Sequence, residues 1–163
     1  MQEKGQFELD PDFDPEREIA EDVEMIYSDS AKLQFIIQTP RLEKYKEEKN
    51  TLVEEFPKGI HINFYNSEGE ISSTLSANYA ERRSSEGTML LRDSVILDNG
   101  EDRLETIGVT WNEQKQTLKT AKWVQMIQGA TKDTLWGYGL DAKDDFSQFR
   151  IGKLHGKRRY NEE

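Results

Sequence analysis

Apolar side chains in this chain recur mostly at every second position, in short runs cut by turn residues. Ile60, Ile62 and Phe64 alternate with His61, Asn63 and Tyr65, the period-two spacing of a strand that buries one face. Ser67-Glu68-Gly69-Glu70 supplies a turn, after which Ile71, Ser73, Leu75, Ala77 and Tyr79 fall on one face. Further turn signals stand at Ser84-Ser85-Glu86-Gly87, Asp98-Asn99-Gly100 and Trp111-Asn112-Glu113-Gln114, and Asn-Gly between alternating segments is a strong hairpin signal. Lys32 to Thr39 reads as a strand that stops at Pro40, because proline has no N–H to offer a ladder. Arg41 to Asn50 is densely charged, with acids and lysines at helical spacing, and reads as an exposed turn or short helix inserted between strands. Val23, Met25 and Tyr27 alternate as a first strand; Ile19, Val23 and Ile26 also fit a short helix over Glu16 to Ile26. The strand is preferred because the rest of the chain is strand-like.

A strand, a glycine-containing turn and a strand with leucine near its start recur around Leu75, Leu104 and Leu135, at spacings of 29 and 31 residues. Such a period is expected when each unit is a pair of strands stacked on its neighbours to share one interior. The expected fold is therefore all-β: an elongated, twisted antiparallel stack with open edges. Its domain spans residues 23–156, after an acidic flexible leader at 1–22 and before a charged tail at 157–163.

Composition sharpens this picture. The chain has 163 residues, 34% of them hydrophobic, and a net charge of −10, which disfavours a thick enzyme core and a nucleic-acid surface. The charge is uneven. Residues 1–24 hold ten acids and two bases, whereas the remainder holds twenty-two acids and twenty bases, so the excess belongs to a solvated leader. Zero cysteines exclude disulfides and thiolate chemistry. No run of apolar residues reaches the ~18 that a membrane span needs. His61 and His155 have no metal-ligand spacing, and no nucleophile elbow, Walker loop or dinucleotide fingerprint is present.

Catalytic residues, cofactors and metals are thus not expected. Carboxylate pairs such as Asp144 and Asp145, or Glu105 facing Asp98 across a hairpin, have a spacing compatible with glycoside hydrolysis, but acids are common enough here to pair by chance. Trp111, Trp123 and Trp136 are read as core or strand-end anchors before a sugar platform. The aliphatic and aromatic bulk on the strand faces is more informative. Ile62, Phe64, Leu75, Ala77, Leu91, Val95, Leu104, Val109, Leu118, Val124, Met126 and Leu135 interleave with small and polar residues. They can form a dry core or line an apolar trough for acyl chains.

From Met25 to Gly156 the chain resembles the LptC family of the lipopolysaccharide export system. The resemblance rests on Tyr27-Ser28-Asp29-Ser30-Ala31-Lys32-Leu33, on Gly59 to Tyr65 with Glu68-Gly69, and on Ser73-Thr74-Leu75-Ser76-Ala77. It continues through Leu104-Glu105-Thr106, Trp111-Asn112, Gly137-Tyr138-Gly139-Leu140 and Phe146 to Gly156. It implies a V-shaped or jellyroll-like β-trough shared with LptA, and a non-enzymatic role. Lipopolysaccharide would be accepted from the inner-membrane ABC transporter LptBFG at an N-terminal edge near Val23, Met25 and Tyr27. It would pass to LptA at a C-terminal edge near Phe149, Ile151 and Leu154. The resemblance also implies a periplasmic location and an N-terminal membrane span or lipidated cysteine, neither of which is in this sequence, so that the acidic leader reads as part of a tether. A carbohydrate-binding or adhesin-type β-sandwich is the alternative.

Overall fold

The computed structural model describes residues 16–48, 51–153 and 155–157. Its regular elements are strands: β1 (Glu18–Asp29), β2 (Lys32–Lys46), β3 (Leu52–Phe56), β4 (Ile60–Tyr65), β5 (Ile71–Ala77), β6 (Tyr79–Arg83), β7 (Thr88–Asp98), β8 (Asp102–Asn112), β9 (Thr117–Gln128), β10 (Thr134–Lys143), β11 (Phe149–Ile151) and β12 (His155–Lys157). All twelve join one antiparallel sheet.

The long strands change partner midway, and this folds the sheet into two walls. Phe35 to Gln38 of β2 pair with β4, whereas Glu43 to Lys46 pair with β3. On β7, Thr88 to Arg92 pair with β6 and Ile96 to Asp98 with β5. On β10, Thr134 to Trp136 pair with β12 and Leu140 to Ala142 with β11. Left-handed backbone marks the corner at Asp22 (φ 50°), Asp93 (65°), Ser94 (58°) and Gly139 (98°). Gly59, at φ 102°, also lies there, where an added Cβ would stand 3.1 Å from the Ala77 carbonyl oxygen. The left-handed region is open to glycine at little cost.

The first wall contains β4, β5 and β12, and the second contains β3, β6 and β11; β1, β2, β7, β8, β9 and β10 run through both. Inside the first wall, cross-strand register lines up Met25, Ile37, Ile62, Leu75, Leu97, Leu104, Met126 and Leu135 from one edge to the other. The three repeating leucines therefore share one row, with Leu97 and Met126 between them. Facing them, Met89, Trp111, Leu118, Ala142 and Phe149 form a row of the second wall.

Five local expectations change. Pro40 does not end β2. It sits at the change of partner, where Asp22 opposite it makes no register pair and a missing N–H costs no ladder bond. The Thr39 hydroxyl there donates to the Gly59 carbonyl at 2.8 Å. Arg41 to Lys46 is strand rather than inserted turn or helix: Glu43 meets Arg41 two residues along the same strand at 2.7 Å and Arg17, just before β1, at 3.0 Å, and Arg41 reaches Glu21 of β1 at 3.8 Å. Strand β1 begins at Glu18, inside the expected leader. Its first five residues are exposed, so no alternation announces them; residues 1–15 lie outside the described residues. Finally, Trp111 and Asn112 belong to β8 and the turn follows them, while the break at Asn78 puts Tyr79 on the outer face, opposite in orientation to Leu75 and Ala77.

Candidate functional site: an apolar interior between two open edges

Each wall buries the face it turns to the other. Ile62, Phe64, Leu75, Ala77, Leu91, Val95, Leu104, Val109, Leu118, Val124 and Met126 are all buried in one apolar cluster, and Leu135 is half-buried against it. Phe56, Ile37, Met89, Trp111 and Phe146 belong to the same interior, with Phe35 packed against it. Most of these lay within legible strands. Phe146 did not, because it stands in the loop between β10 and β11 with φ 56° and no periodicity marks it.

At one end of the stack β1 pairs only with β2, and at the other β11 and β12 pair only with β10. Val23, Met25 and Tyr27 are the inward side chains of β1 and pack against the cluster. Ile151 is buried and Phe149 half-buried on β11, whereas Leu154 lies outside the described residues. Both terminal strands thus anchor an inward face while leaving a backbone edge unpaired among the described residues, which is the geometry for adding a strand from another chain.

Opposite the corner the walls meet along a seam of hairpin ends. Trp111 of the second wall stands edge-on to Phe35 and Phe64 of the first, at centroid distances of 4.9 and 5.4 Å. Its indole N–H donates to Asp144 Oδ2 at 3.2 Å. Arg82 donates across the seam to the Tyr27 hydroxyl and binds Glu113 at 2.6 Å and Glu54 at 3.6 Å. Further along, the Asn99 amide donates to the Phe146 carbonyl at 3.3 Å. Burial pushes the Glu113 carboxyl above its ordinary range, against the pull of Arg82. Burial does the same to Asp144, against the indole hydrogen bond. A cavity of about 500 Å³ opens here, lined by Tyr27, Phe35, Phe64, Tyr65, Arg82, Glu113, Asp144 and neighbouring polar residues. The polar rim therefore leads directly onto the apolar interior.

The other chemical candidates separate. Glu105 registers with Ile96, not with Asp98, which faces Arg103. Asp144 is occupied by Trp111, and Asp145 Oδ1 accepts from the Ser147 N–H at 2.9 Å. Trp111 is interior, whereas Trp123 pairs with the exposed Tyr138 and Trp136 stacks near His155. The three tryptophans form no common platform. Arg82 was missed in the sequence because unbroken alternation through Tyr79 places it outward; the break at Asn78 turns it inward with Ala80.

A jellyroll-like antiparallel trough, open along a strand at each end and apolar between its walls, defines a binding and transport class of β protein. Residues 16–151 match the family described as "Lipopolysaccharide-assembly, LptC-related", and the chain belongs to the LptC family. That family serves lipopolysaccharide transport and is in general periplasmic and attached to the inner membrane. A search among curated proteins gives no match. Among the described residues no helix is long and apolar enough to cross a membrane.

Proposed function

We propose that this chain takes lipopolysaccharide from the transporter LptBFG at the β1 edge, holds its acyl chains between the two walls, and passes it to LptA along β11 and β12. The observation that carries this reading is the inward apolar row from Met25 through Ile37, Ile62, Leu75, Leu97, Leu104 and Met126 to Leu135. It connects the two open edges without a charged interruption. Acyl chains transferred onto such a row gain about 25 cal/mol per Å² of apolar surface removed from water. Side chains fill the interior in this structure, so the walls part at the seam to admit a chain. The polar contacts of Arg82, Tyr27 and Glu113 are weaker barriers to that parting than the covalently continuous corner.

Edge pairing supplies the direction. An incoming strand satisfies N–H and C=O groups that water otherwise solvates, and its alternate side chains extend the interior rows. Ending the chain after Gly152 removes β12, whose described pairing is confined to Thr134, Leu135 and Trp136. Assembly with purified LptA is expected to weaken at least about tenfold, equivalent to ~1.4 kcal/mol, while the melting temperature stays within a few degrees of the parent. Unchanged assembly with LptA, read by titration in solution, would place the hand-off at another edge.

A further inference from the structure

Hydroxyls buried in an apolar interior are costly unless they find an acceptor or donor. Three such residues face this interior: Thr39, Ser73 and Thr106. Thr39 donates to the Gly59 carbonyl at 2.8 Å and Thr106 to the Trp123 carbonyl at 2.7 Å, so both serve the corner. Ser73 is only 3% exposed, and its Oγ is the one buried side-chain polar atom without a protein hydrogen-bond partner among the described residues.

Its position gives that orphaned hydroxyl a meaning. Ser73 registers with Phe64, which registers with Phe35, which registers with Tyr27. This is the last inward row of the first wall before the seam. Phe35 and Phe64 line the seam cavity. Two residues along β5 lies Leu75, in the apolar row that runs between the edges; two strand residues span about 7 Å. An amphiphile with its chains on the Leu75 row and its headgroup at the polar rim has its chain-to-headgroup junction at the level of Ser73.

We propose that the Ser73 hydroxyl donates a hydrogen bond to an acyl carbonyl at that junction, the ester or amide carbonyl of the cargo. The assignment rests on the lipid-holding function proposed above and adds the chemical group that is read. A carbonyl oxygen accepts and cannot donate, and it is the last polar atom before the hydrocarbon. A hydroxyl with an open donor at that depth matches it, whereas a charged side chain there would carry a much larger desolvation cost.

The test uses the purified chain and two short-chain phosphatidylglycerols of identical headgroup and chain length, one ester-linked and one ether-linked. Binding is followed by intrinsic tryptophan fluorescence in the parent and in Ser73→Ala. The parent is expected to prefer the ester form by about three- to tenfold, the span of one ordinary hydrogen bond. Ser73→Ala is expected to bind both forms alike and, having lost an unsatisfied buried hydroxyl, to melt about 2–4 °C higher. If both lipids bind the parent equally, or Ser73→Ala keeps the ester preference, the Ser73 assignment fails while the trough stands. A lower melting temperature for Ser73→Ala would show a structural hydrogen bond and also overturn the assignment. Failure of either lipid to bind the parent would overturn the trough reading and the Ser73 assignment with it.

Discussion

Replacing Trp111 by alanine is expected to lower the unfolding free energy by about 3–5 kcal/mol, the usual cost of deleting a large buried aromatic. In a chain of this length that corresponds to a fall in melting temperature of roughly 10–15 °C. Trp111 is fully buried and belongs to the second wall, yet its ring meets Phe35 and Phe64 of the first at interplanar angles of 71° and 78°. Edge-to-face pairs of this kind add about 0.5–1.5 kcal/mol each beyond the area they bury. Alanine removes both contacts, opens a cavity that β strands on either side cannot fill by small shifts, and takes the indole donor from Asp144. Trp111→Phe should retain much of the packing but not the hydrogen bond, and so fall between. Thermal denaturation followed by circular dichroism reads the series; a shift of less than about 3 °C for alanine would mean that the walls are not held together at this point.

Arg82→Ala is expected to cost about 3 kcal/mol at neutral pH, as when one member of a largely buried ion pair is deleted. Its side chain is 19% exposed, with Glu54 at 12% and Glu113 at 13%. Removing the cation leaves two carboxylates on one face of the seam without their shared partner, and it also frees the Tyr27 hydroxyl. The pH dependence follows from Glu113, whose folded carboxyl is already held above its ordinary range by burial. Such an acid binds more protons folded than unfolded between its two pKa values, so its effect is to reduce stability as pH rises through that interval. Without Arg82 the interval widens upward. The deficit of Arg82→Ala should thus be greatest near neutrality and shrink as the pH falls toward the ordinary carboxylate range. Urea unfolding of parent and variant at two pH values measures this; a deficit independent of pH would show that Arg82 acts by packing alone.

Asp144 shares the sign of Glu113, since burial raises it as well. Glu43, on the outer face, has the opposite sign. Its hydrogen bond from Arg41 leads the causes that lower its pKa, so the stability it contributes is present above the ordinary glutamate pKa and is lost as pH falls through the lowered value. The two faces of the second wall therefore respond to acidification in opposite directions.

Alternation was enough to identify an all-β chain and to place Ile62, Phe64, Leu75, Leu91, Leu104, Leu118 and Val124 indoors, because period two fixes the face of each residue once a strand is found. It failed where the chain exchanged faces at a corner. At Pro40 and Asn78 residues on either side exchange faces, and a proline can occur without ending its strand; at Asp93-Ser94 the partner changes while Leu91 and Val95 both stay inward. Arg41 to Lys46 looked like an insertion because its charges suggested helical pairs, whereas Glu43 pairs with Arg17 and Arg41 with Glu21, both distant in sequence. The first residues of β1 carry no pattern because neither face is covered. Seam residues such as Arg82, Glu113, Asp144 and Phe146 come together only when the walls fold over, and Phe146 lies in a loop.

The central claim is that the interior rows, and not the outer faces of the same strands, receive acyl chains. Site-specific photo-crosslinking tests it with probes at Phe64, Leu75 and Leu104, which point inward, and at Asn63 and Thr74, which neighbour them in sequence and point outward. With lipopolysaccharide supplied to the assembled export machinery, labelling is expected at the three inward positions and not at the two outward ones. Equal labelling at both sets would contradict the trough.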